Sequence, residues 1–250
     1  MTSDLFLRLV VGHLIGDFVL QPFWLALAKR KGWKGLLLHV SVVAVVSGAL
    51  VWKVIPHWLW LVGVLFVVHI FIDQFRTFVF VDNSNGKSFF LFLADQFVHL
   101  ASLAALSLLF GGEPLAGLPG LLPSLPLTPV QGRLLLLALI IVLVWVTPIL
   151  EVEFLVALLA WRHTTDTQQL VPITPADRLI GGLERLAALA LVPLHLVFLM
   201  PVAFGPRLLW LSRHTPHNGR LAVWAKEGMS LLVTGLIGAM VWATGLLEYL

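Results

Sequence analysis

The chain has 250 residues, of which 59% are hydrophobic and only 12% are charged, and its mean hydropathy is +0.97. Soluble domains carry about 25% charged residues, so the polar side chains here are too few to cover a water-facing surface. The net charge of +3 does not indicate nucleic-acid binding, because the basic residues form short clusters between apolar runs, as in membrane proteins. Cysteine is absent, which excludes disulfides and thiolate ligands. Composition therefore predicts an all-α, polytopic protein whose main partner is the lipid bilayer.

Long apolar runs divide the chain into membrane-spanning helices, each of which needs about 20 apolar residues. The runs lie at about 4–28, 35–55, 58–80, 88–110, 134–161 and 220–247. The further stretch 177–213 is too long for one span and contains Pro193 and Pro201, which end or kink helices. We interpret it as a hairpin of two short helices. The sequence therefore predicts about eight transmembrane segments, or seven if this stretch crosses once.

Basic residues predict the orientation and the organisation of the chain. Four of them crowd the first loop, which we place in the cytoplasm: Lys29, Arg30, Lys31 and Lys34. The segment 111–132 has no Lys or Arg and is dense in Gly and Pro, so it is predicted to be an external loop. It separates a four-helix, polar-centred domain (1–110) from a C-terminal helical membrane region (133–250). The expected location is the cytoplasmic (inner) membrane of a prokaryote.

Polar residues inside the first four spans are the main functional signal. They are His13, Asp17 and Gln21 in the first span, His39 in the second, His69 and Asp73 in the third, and Asp95, Gln96 and His99 in the fourth. Pairs spaced i, i+4 share one helix face. Distances from the basic loops place polar groups of all four spans at similar depth in the cytoplasmic half of the membrane. A carboxylate in the hydrocarbon is costly unless it is paired or bound to a cation, so we expect one shared cavity.

The first and third spans share a His-x3-Asp pattern. VVGHLIGDFVL surrounds His13, and FVVHIFIDQF surrounds His69. Two hairpins with the same entry direction would form a parallel repeat with equivalent ligands on either side of a centre. Chance similarity between apolar helices explains the pattern equally well.

Imidazole and carboxylate groups without sulfur suit a divalent metal such as Zn, Mn, Fe or Mg. The candidate ligands are His13, Asp17, His39, His69, Asp73, Asp95 and His99, and the three aspartates are also the candidate catalytic residues. This set is large enough for two metals, or for one metal with a second shell that orients the histidines. The alternative is a buried hydrogen-bond network that only holds helices together.

Several of these residues stand in segments that resemble a known family. GHLIGDFVLQ, Lys29, His39, HIFIDQ and DQFVH resemble the membrane proteins grouped as domain of unknown function 3307, over roughly 5–105. RLIGGLERL and KEGMSLLVTGLIG resemble the C-terminal extension of many members. The resemblance implies a fold and a polar site but no established reaction. The pattern is more distantly similar to that of inner-membrane metal-dependent hydrolases with intramembrane His-x3-Asp helices.

Charged residues in the C-terminal half are less informative. Glu151 and Glu153 are two apart and cannot share a helix face, so only one of them could reach the first-half site. Glu184 and Arg185 are expected to form a local ion pair or to extend towards the membrane interface.

Three classes of function fit this sequence. The leading one is a metal-dependent hydrolase acting on a lipid-like substrate at the cytoplasmic leaflet, with Gln21, Lys29 and Arg76 as substrate-binding candidates. The second is an ion- or proton-coupled transporter that uses the His/Asp cluster as a relay. The third is a non-catalytic subunit whose histidines ligate haem or a chlorin. The sequence leaves homo-oligomerisation and membership of a larger membrane complex open.

Overall fold

The computed structural model describes residues 2–79, 87–112, 127–162, 175–215 and 219–246. These ranges are helical and contain no strand, which confirms the all-α prediction. The α-helices are α1 (Thr2–Leu14), α2 (Phe23–Lys31), α3 (Trp33–Val51), α4 (Trp58–Val79), α5 (Ser88–Gly111), α6 (Pro129–Ile141), α7 (Thr147–Trp161), α8 (Pro175–Ala190), α9 (Met200–His214) and α10 (Arg220–Thr244). Most of the predicted external loop 111–132 lies outside the described residues.

Five helical segments in the described ranges are long and apolar enough to cross a membrane. They are α3, α4, α5, the continuous stretch from α6 to α7, and α10. The bent pair that begins with α1 raises the number to six if it counts as one span. The stretch 177–213 does contain two short helices, but α8 has 16 residues and α9 has 15, fewer than a straight crossing needs. The chain is a helical, multi-pass membrane protein, and the expected total of eight spans is not confirmed.

The first span is broken, so the prediction of one continuous helix over 4–28 is wrong. After α1 the chain forms a π-helical turn, Ile15–Val19, and then leaves the helix at Leu20. Pro22 adopts an extended conformation, with φ −65° and ψ 158°, and proline disfavours the helical conformation in the residue before it. The following helix, α2, is turned by 93°. Lys29 therefore belongs to a helix and not to a loop.

The chain divides into two compact units. The first comprises Met1–Asp82 and Leu93–Ala138, and the second comprises Asn83–Phe92 and Leu139–Leu250. In the first unit α3 packs against α1, α2 and α4. A cluster of buried apolar residues, including Leu5, Leu9 and Leu65, forms a hydrophobic core in this unit. In the second unit α10 packs against α7, α8 and α9.

Glycines let the first span approach α3 closely, as small residues do between membrane helices. A Cβ atom at Gly16 would lie 2.8 Å from the Cα of Val43, and one at Gly12 would lie 2.9 Å from the Cα of Ser47. Both contacts are with backbone, which cannot move aside as a flexible side chain would. The sequence at these positions therefore fixes the distance between Asp17 and the histidine of α3.

Gly16→Ala is expected to destabilise the protein, because the added methyl group must push the first span away from α3. Overpacking of this kind costs about 1–3 kcal/mol. Gly63→Ala is the matched control, since a Cβ atom there meets nothing within 4 Å. Thermal unfolding in detergent, followed by circular dichroism, should show a lower midpoint for Gly16→Ala only. Equal midpoints for the two variants would contradict the close approach.

Candidate metal centre

The polar residues of the first four predicted spans meet in the first unit. His13 lies on α1, Asp17 in the π turn, His39 on α3, His69 and Asp73 on α4, and Asp95 and His99 on α5. All of them except Asp95 are buried. The i, i+4 spacing on α1, α4 and α5 turns each pair to one helix face, as the sequence predicted. Asp95 is the most accessible of the three aspartates, with 13% of its side chain exposed.

The carboxylate of Asp17 lies among three imidazole rings. Its Oδ1 atom is 3.4 Å from His69 Nε2, 3.5 Å from His39 Nε2 and 3.6 Å from His13 Nδ1. A single oxygen atom therefore faces three ring nitrogens from three helices.

The carboxylate of Asp73 faces a similar set of imidazole nitrogens. Its Oδ2 atom is 3.1 Å from His39 Nε2 and 3.7 Å from His69 Nε2, and its Oδ1 atom is 3.9 Å from His99 Nε2. Two groups of side chains have ligand atoms within 4.8 Å of one another: His13 with Asp17 and His69, and His39 with His69 and Asp73. Because His69 belongs to both groups, these residues surround one centre.

The proton positions on His99 follow from its backbone contact. Its Nδ1 atom lies 2.9 Å from the backbone carbonyl oxygen of Asp95. A carbonyl oxygen only accepts hydrogen bonds, so Nδ1 holds the proton, and in a neutral ring Nε2 then presents a lone pair. That lone pair points towards the carboxylate of Asp73, which also only accepts.

The proton position on His13 follows in the same way, from its contact with Gln96. The amide nitrogen of Gln96 donates to Asp95 Oδ2 at 3.0 Å, which turns its oxygen towards His13 Nε2 at 3.5 Å. His13 Nε2 therefore donates, and in a neutral ring its Nδ1 atom presents a lone pair towards Asp17 Oδ1. At two places in the centre, therefore, an imidazole lone pair faces a carboxylate oxygen, and both atoms only accept hydrogen bonds.

Several buried atoms of the centre lack hydrogen-bond partners: His13 Nδ1, Asp17 Oδ1, His69 Nε2 and His99 Nε2. A purely structural network would pair them, because an unpaired buried polar group is costly. Additional protons would make His13 and His99 both cationic, and their stacked rings are only 4.8 Å apart. A cation held between the imidazoles and carboxylates would satisfy these atoms without that repulsion.

The remaining predicted site residues lie around this centre. Lys29 Nζ donates to both oxygens of Asp73, at 3.2 and 3.1 Å. The amide nitrogen of Gln21 donates to His39 Nδ1 at 3.2 Å, so in a neutral ring the proton of His39 lies on Nε2. If the amide of Gln21 turned over, its oxygen would hold the other form of the ring. Arg76 lies three residues after Asp73 on α4 and is half-buried.

Gln96 was not among the predicted ligands or substrate-binding residues, yet it links His13 to Asp95. The sequence contains one signal that could have found it. Gln96 precedes His99 by three residues, and i, i+3 positions lie on the same helix face. Because His99 is expected to face the shared cavity, Gln96 faces it too and can reach a histidine of another span, and a buried histidine usually has a second polar group that orients it.

A second polar cluster lies in the second unit. Arg185 donates to Glu151 at 2.8 Å and to Ser230 at 3.0 Å. Arg207 donates to Glu184 at 3.1 Å and lies 3.6 Å from Glu227.

The expectation that Glu184 and Arg185 pair locally or extend to the interface is wrong for Arg185. Its side chain is only 1% exposed and pairs with a residue 34 positions earlier. Neighbouring residues on a helix point about 100° apart, so Glu184 and Arg185 reach different partners. Glu151 is the buried member of the glutamate pair and serves as the partner of Arg185.

Comparison with known proteins bears on the N-terminal part of the chain. No curated protein and no solved structure matches this sequence. The likeness of the C-terminal segments to a family extension, and the likeness to metal-dependent hydrolases, therefore stay predictions. Residues 5–115, which contain every residue of the centre around Asp17 and Asp73, match the family described as Protein of unknown function (DUF3307), so the resemblance seen in the sequence is confirmed for this part of the chain.

Proposed function

We propose that the centre binds one divalent metal ion and that the protein is a membrane-embedded hydrolase acting on a lipid-like substrate. The observation that supports this most directly is that two imidazole nitrogens, His13 Nδ1 and His99 Nε2, face carboxylate oxygens and have no hydrogen-bond donor of their own. Acceptor atoms of two ligand types around one point are the arrangement that a cation requires. The DUF3307 description gives no reaction, so the chemistry rests on the residues alone.

The proposed ligands are the residues whose atoms lie closest to the shared centre. Asp17 Oδ1, Asp73 Oδ2, His39 Nε2 and His69 Nε2 all lie within 3.1–3.7 Å of one another across the carboxylate–imidazole pairs. The imidazoles suit Zn or Fe and the carboxylates suit Mn, whereas Mg prefers an all-oxygen site and retains water. His13 and His99 also line the centre and are available as further ligands.

Asp95 is the proposed proton acceptor. It is more exposed than Asp17 and Asp73, and Gln96 fixes its carboxylate. A divalent metal held by the proposed ligands would supply hydroxide at neutral pH and would polarise the oxygen of the ester that is cleaved. In hydrolysis the water oxygen would bond to the phosphorus or the carbonyl carbon while a water proton passes to Asp95. The ester bond to the alcohol oxygen would then break, and that oxygen would take the proton back from Asp95.

The proposed location is the inner membrane of a prokaryote, with the basic segment from Lys29 to Lys34 on the cytoplasmic side. In that orientation the centre would lie in the cytoplasmic half of the bilayer, within reach of lipid headgroups. The proposed partners are the bilayer and a lipid-like substrate.

Hydrolysis by the full-length protein is the test of this function. We expect the chain, stripped with a chelator and reloaded with Zn²⁺ or Mn²⁺ in detergent, to cleave dihexanoyl phosphatidylglycerol, followed by phosphorus NMR and release of fatty acid. Asp95→Asn should keep its metal and lose at least about a hundredfold in rate, since a positioned proton acceptor contributes that much. Glu153→Gln, in the second unit, is the control. Full activity without metal, or in Asp95→Asn, would refute the assignment.

Transport is a second candidate, supported by the break in the first span. Discontinuous helices beside buried ionisable groups are typical of transporter binding sites. Here the chain leaves the helix at Leu20, three residues after Asp17. Uptake of Zn²⁺ into vesicles containing the protein, without hydrolysis of any lipid probe, would favour this function.

A further inference from the structure

The short helix α2 has two unlike sides. One side exposes large apolar residues, with Phe23 79% and Trp24 60% exposed, and Leu27 one turn further on. The other side directs Lys29 to Asp73. Because α2 is turned by 93° from α1, which begins a span, it runs along the membrane surface if α1 crosses the membrane. Exposed aromatic residues beside cations are the pattern of a helix that lies in the membrane interface.

Cations surround the end of this helix. Arg30 and Lys31 are exposed at the end of α2, and Lys34 is exposed at the start of α3, next to the exposed Trp33. A cluster of this kind attracts anionic headgroups at the cytoplasmic leaflet. The α2 surface is the surface formed by these apolar and basic residues: Phe23, Trp24, Leu27, Arg30, Lys31, Trp33 and Lys34.

Lys29 connects the α2 surface with the centre. Its ammonium group holds both oxygens of Asp73, and one of these, Oδ2, is also the oxygen that faces His39 and His69. A divalent ion at the centre and the ammonium group therefore compete for the same carboxylate. The bound ion would also repel the ammonium group, because both are positive.

We propose that Lys29 exchanges partners: it neutralises Asp73 while the centre is empty, and when a divalent ion binds it is released to hold the anionic headgroup of an amphiphile on the α2 surface. This rests on the proposed function and deepens it by naming the substrate class, an amphiphile with a phosphate-type anionic headgroup. The exchange couples metal loading to substrate recognition, because the same side chain serves both states.

Titration of the full-length protein with Co²⁺, whose visible absorption reports ligand binding, tests the first half of the exchange. Lys29→Gln removes the competitor and is expected to bind Co²⁺ about tenfold more tightly than the wild type, which corresponds to about 1.4 kcal/mol. Lys29→Arg keeps the charge and pairs more strongly with carboxylate, so it should bind Co²⁺ more weakly than the wild type. Lys53→Gln, an exposed lysine of the same unit, is the control.

The outcomes of this titration separate the two proposals. If the wild type binds no Co²⁺, the metal centre itself is wrong and the exchange falls with it. If the wild type binds Co²⁺ and Lys29→Gln binds it equally or more weakly, the metal centre stands and the exchange is wrong. If Lys29→Gln does not fold, the comparison is between the wild type and Lys29→Arg, whose guanidinium pairs more strongly with carboxylate. Tighter Co²⁺ binding by the wild type supports the exchange, and equal binding contradicts it.

Binding of short-chain lipids tests the second half. With Co²⁺ bound, dihexanoyl phosphatidylglycerol should bind at least tenfold more tightly than dihexanoyl phosphatidylcholine, whose headgroup has no net charge. Lys29→Gln should lose this preference, and Lys53→Gln should keep it. Inorganic phosphate, added as a competitor of the bound lipid, distinguishes the source of the anion. Weak competition by phosphate supports an amphiphile as the ligand, and competition as strong as that of the lipid overturns this assignment. Equal binding of both lipids to the metal-loaded wild type would also overturn the proposal.

Discussion

His69→Ala is expected to reduce bound divalent metal at least about tenfold, because ligand and second-shell losses commonly cost that much affinity. His69 is the residue common to both groups of side chains that surround the centre, and its Nε2 atom faces both Asp17 and Asp73. Its removal therefore takes a ligand from either possible arrangement. Metal content per chain, measured by inductively coupled plasma mass spectrometry after loading with Zn²⁺ and desalting, checks the result.

Two further variants separate loss of a ligand from loss of the fold. His69→Gln keeps much of the volume and a polar end, so it should stay folded and still lose metal. His57→Ala removes an exposed histidine from the same unit and should retain metal at the wild-type level. Metal content that stays at the wild-type level in both His69 variants would refute the metal centre and would leave the hydrogen-bond network as its explanation.

Arg185→Met is expected to destabilise the second unit by about 3–5 kcal/mol, because it leaves the buried carboxylate of Glu151 without its partner. The expectation is large because Arg185 is almost fully buried and also donates to Ser230. Arg213→Met, which changes an exposed arginine of α9, should have little effect. Unfolding in a titration with sodium dodecyl sulfate, followed by circular dichroism, measures the difference.

A double variant shows whether the ion pair itself stabilises the unit. Replacing a buried pair with two apolar residues is often neutral, whereas breaking it by one substitution is costly. Arg185→Met combined with Glu151→Met should therefore recover most of the stability lost in Arg185→Met. If the double variant is as unstable as the single one, other partners of Arg185 matter more than Glu151.

The sequence was sufficient to predict that the His/Asp residues lie together, because the prediction depends only on helix spacing and on the cost of burying a charge. A carboxylate in an apolar span requires a partner, and i, i+4 spacing with similar depth leaves few places for that partner to be. The position of Asp17 beside His39 and His69 follows from those constraints. What the centre binds does not follow from them, because a proton, a metal ion and a hydrogen-bond network each satisfy the same pattern of residue types.

Other features depended on information that spacing does not contain. The turn at Pro22 was missed because an apolar run continues on both sides of it, and hydropathy does not report direction. The pairing of Arg185 with Glu151 joins residues 34 positions apart on different helices, so no helical period could reveal it. The contact between Lys29 and Asp73 was hidden for a similar reason, since a lysine in a basic cluster is expected to face water.

The π turn at Ile15–Val19 has a consequence for how the sequence of the first span can change in length. A π turn contains about one residue more than an α-helical turn, so the helix itself would tolerate losing one residue there and become regular. The centre would not, because such a deletion would rotate everything beyond it by about 100° relative to His13. Asp17, Gln21 and the Pro22 turn would then face away from α3. The helix of the first span does not need the extra residue, but the geometry around Asp17 does need it.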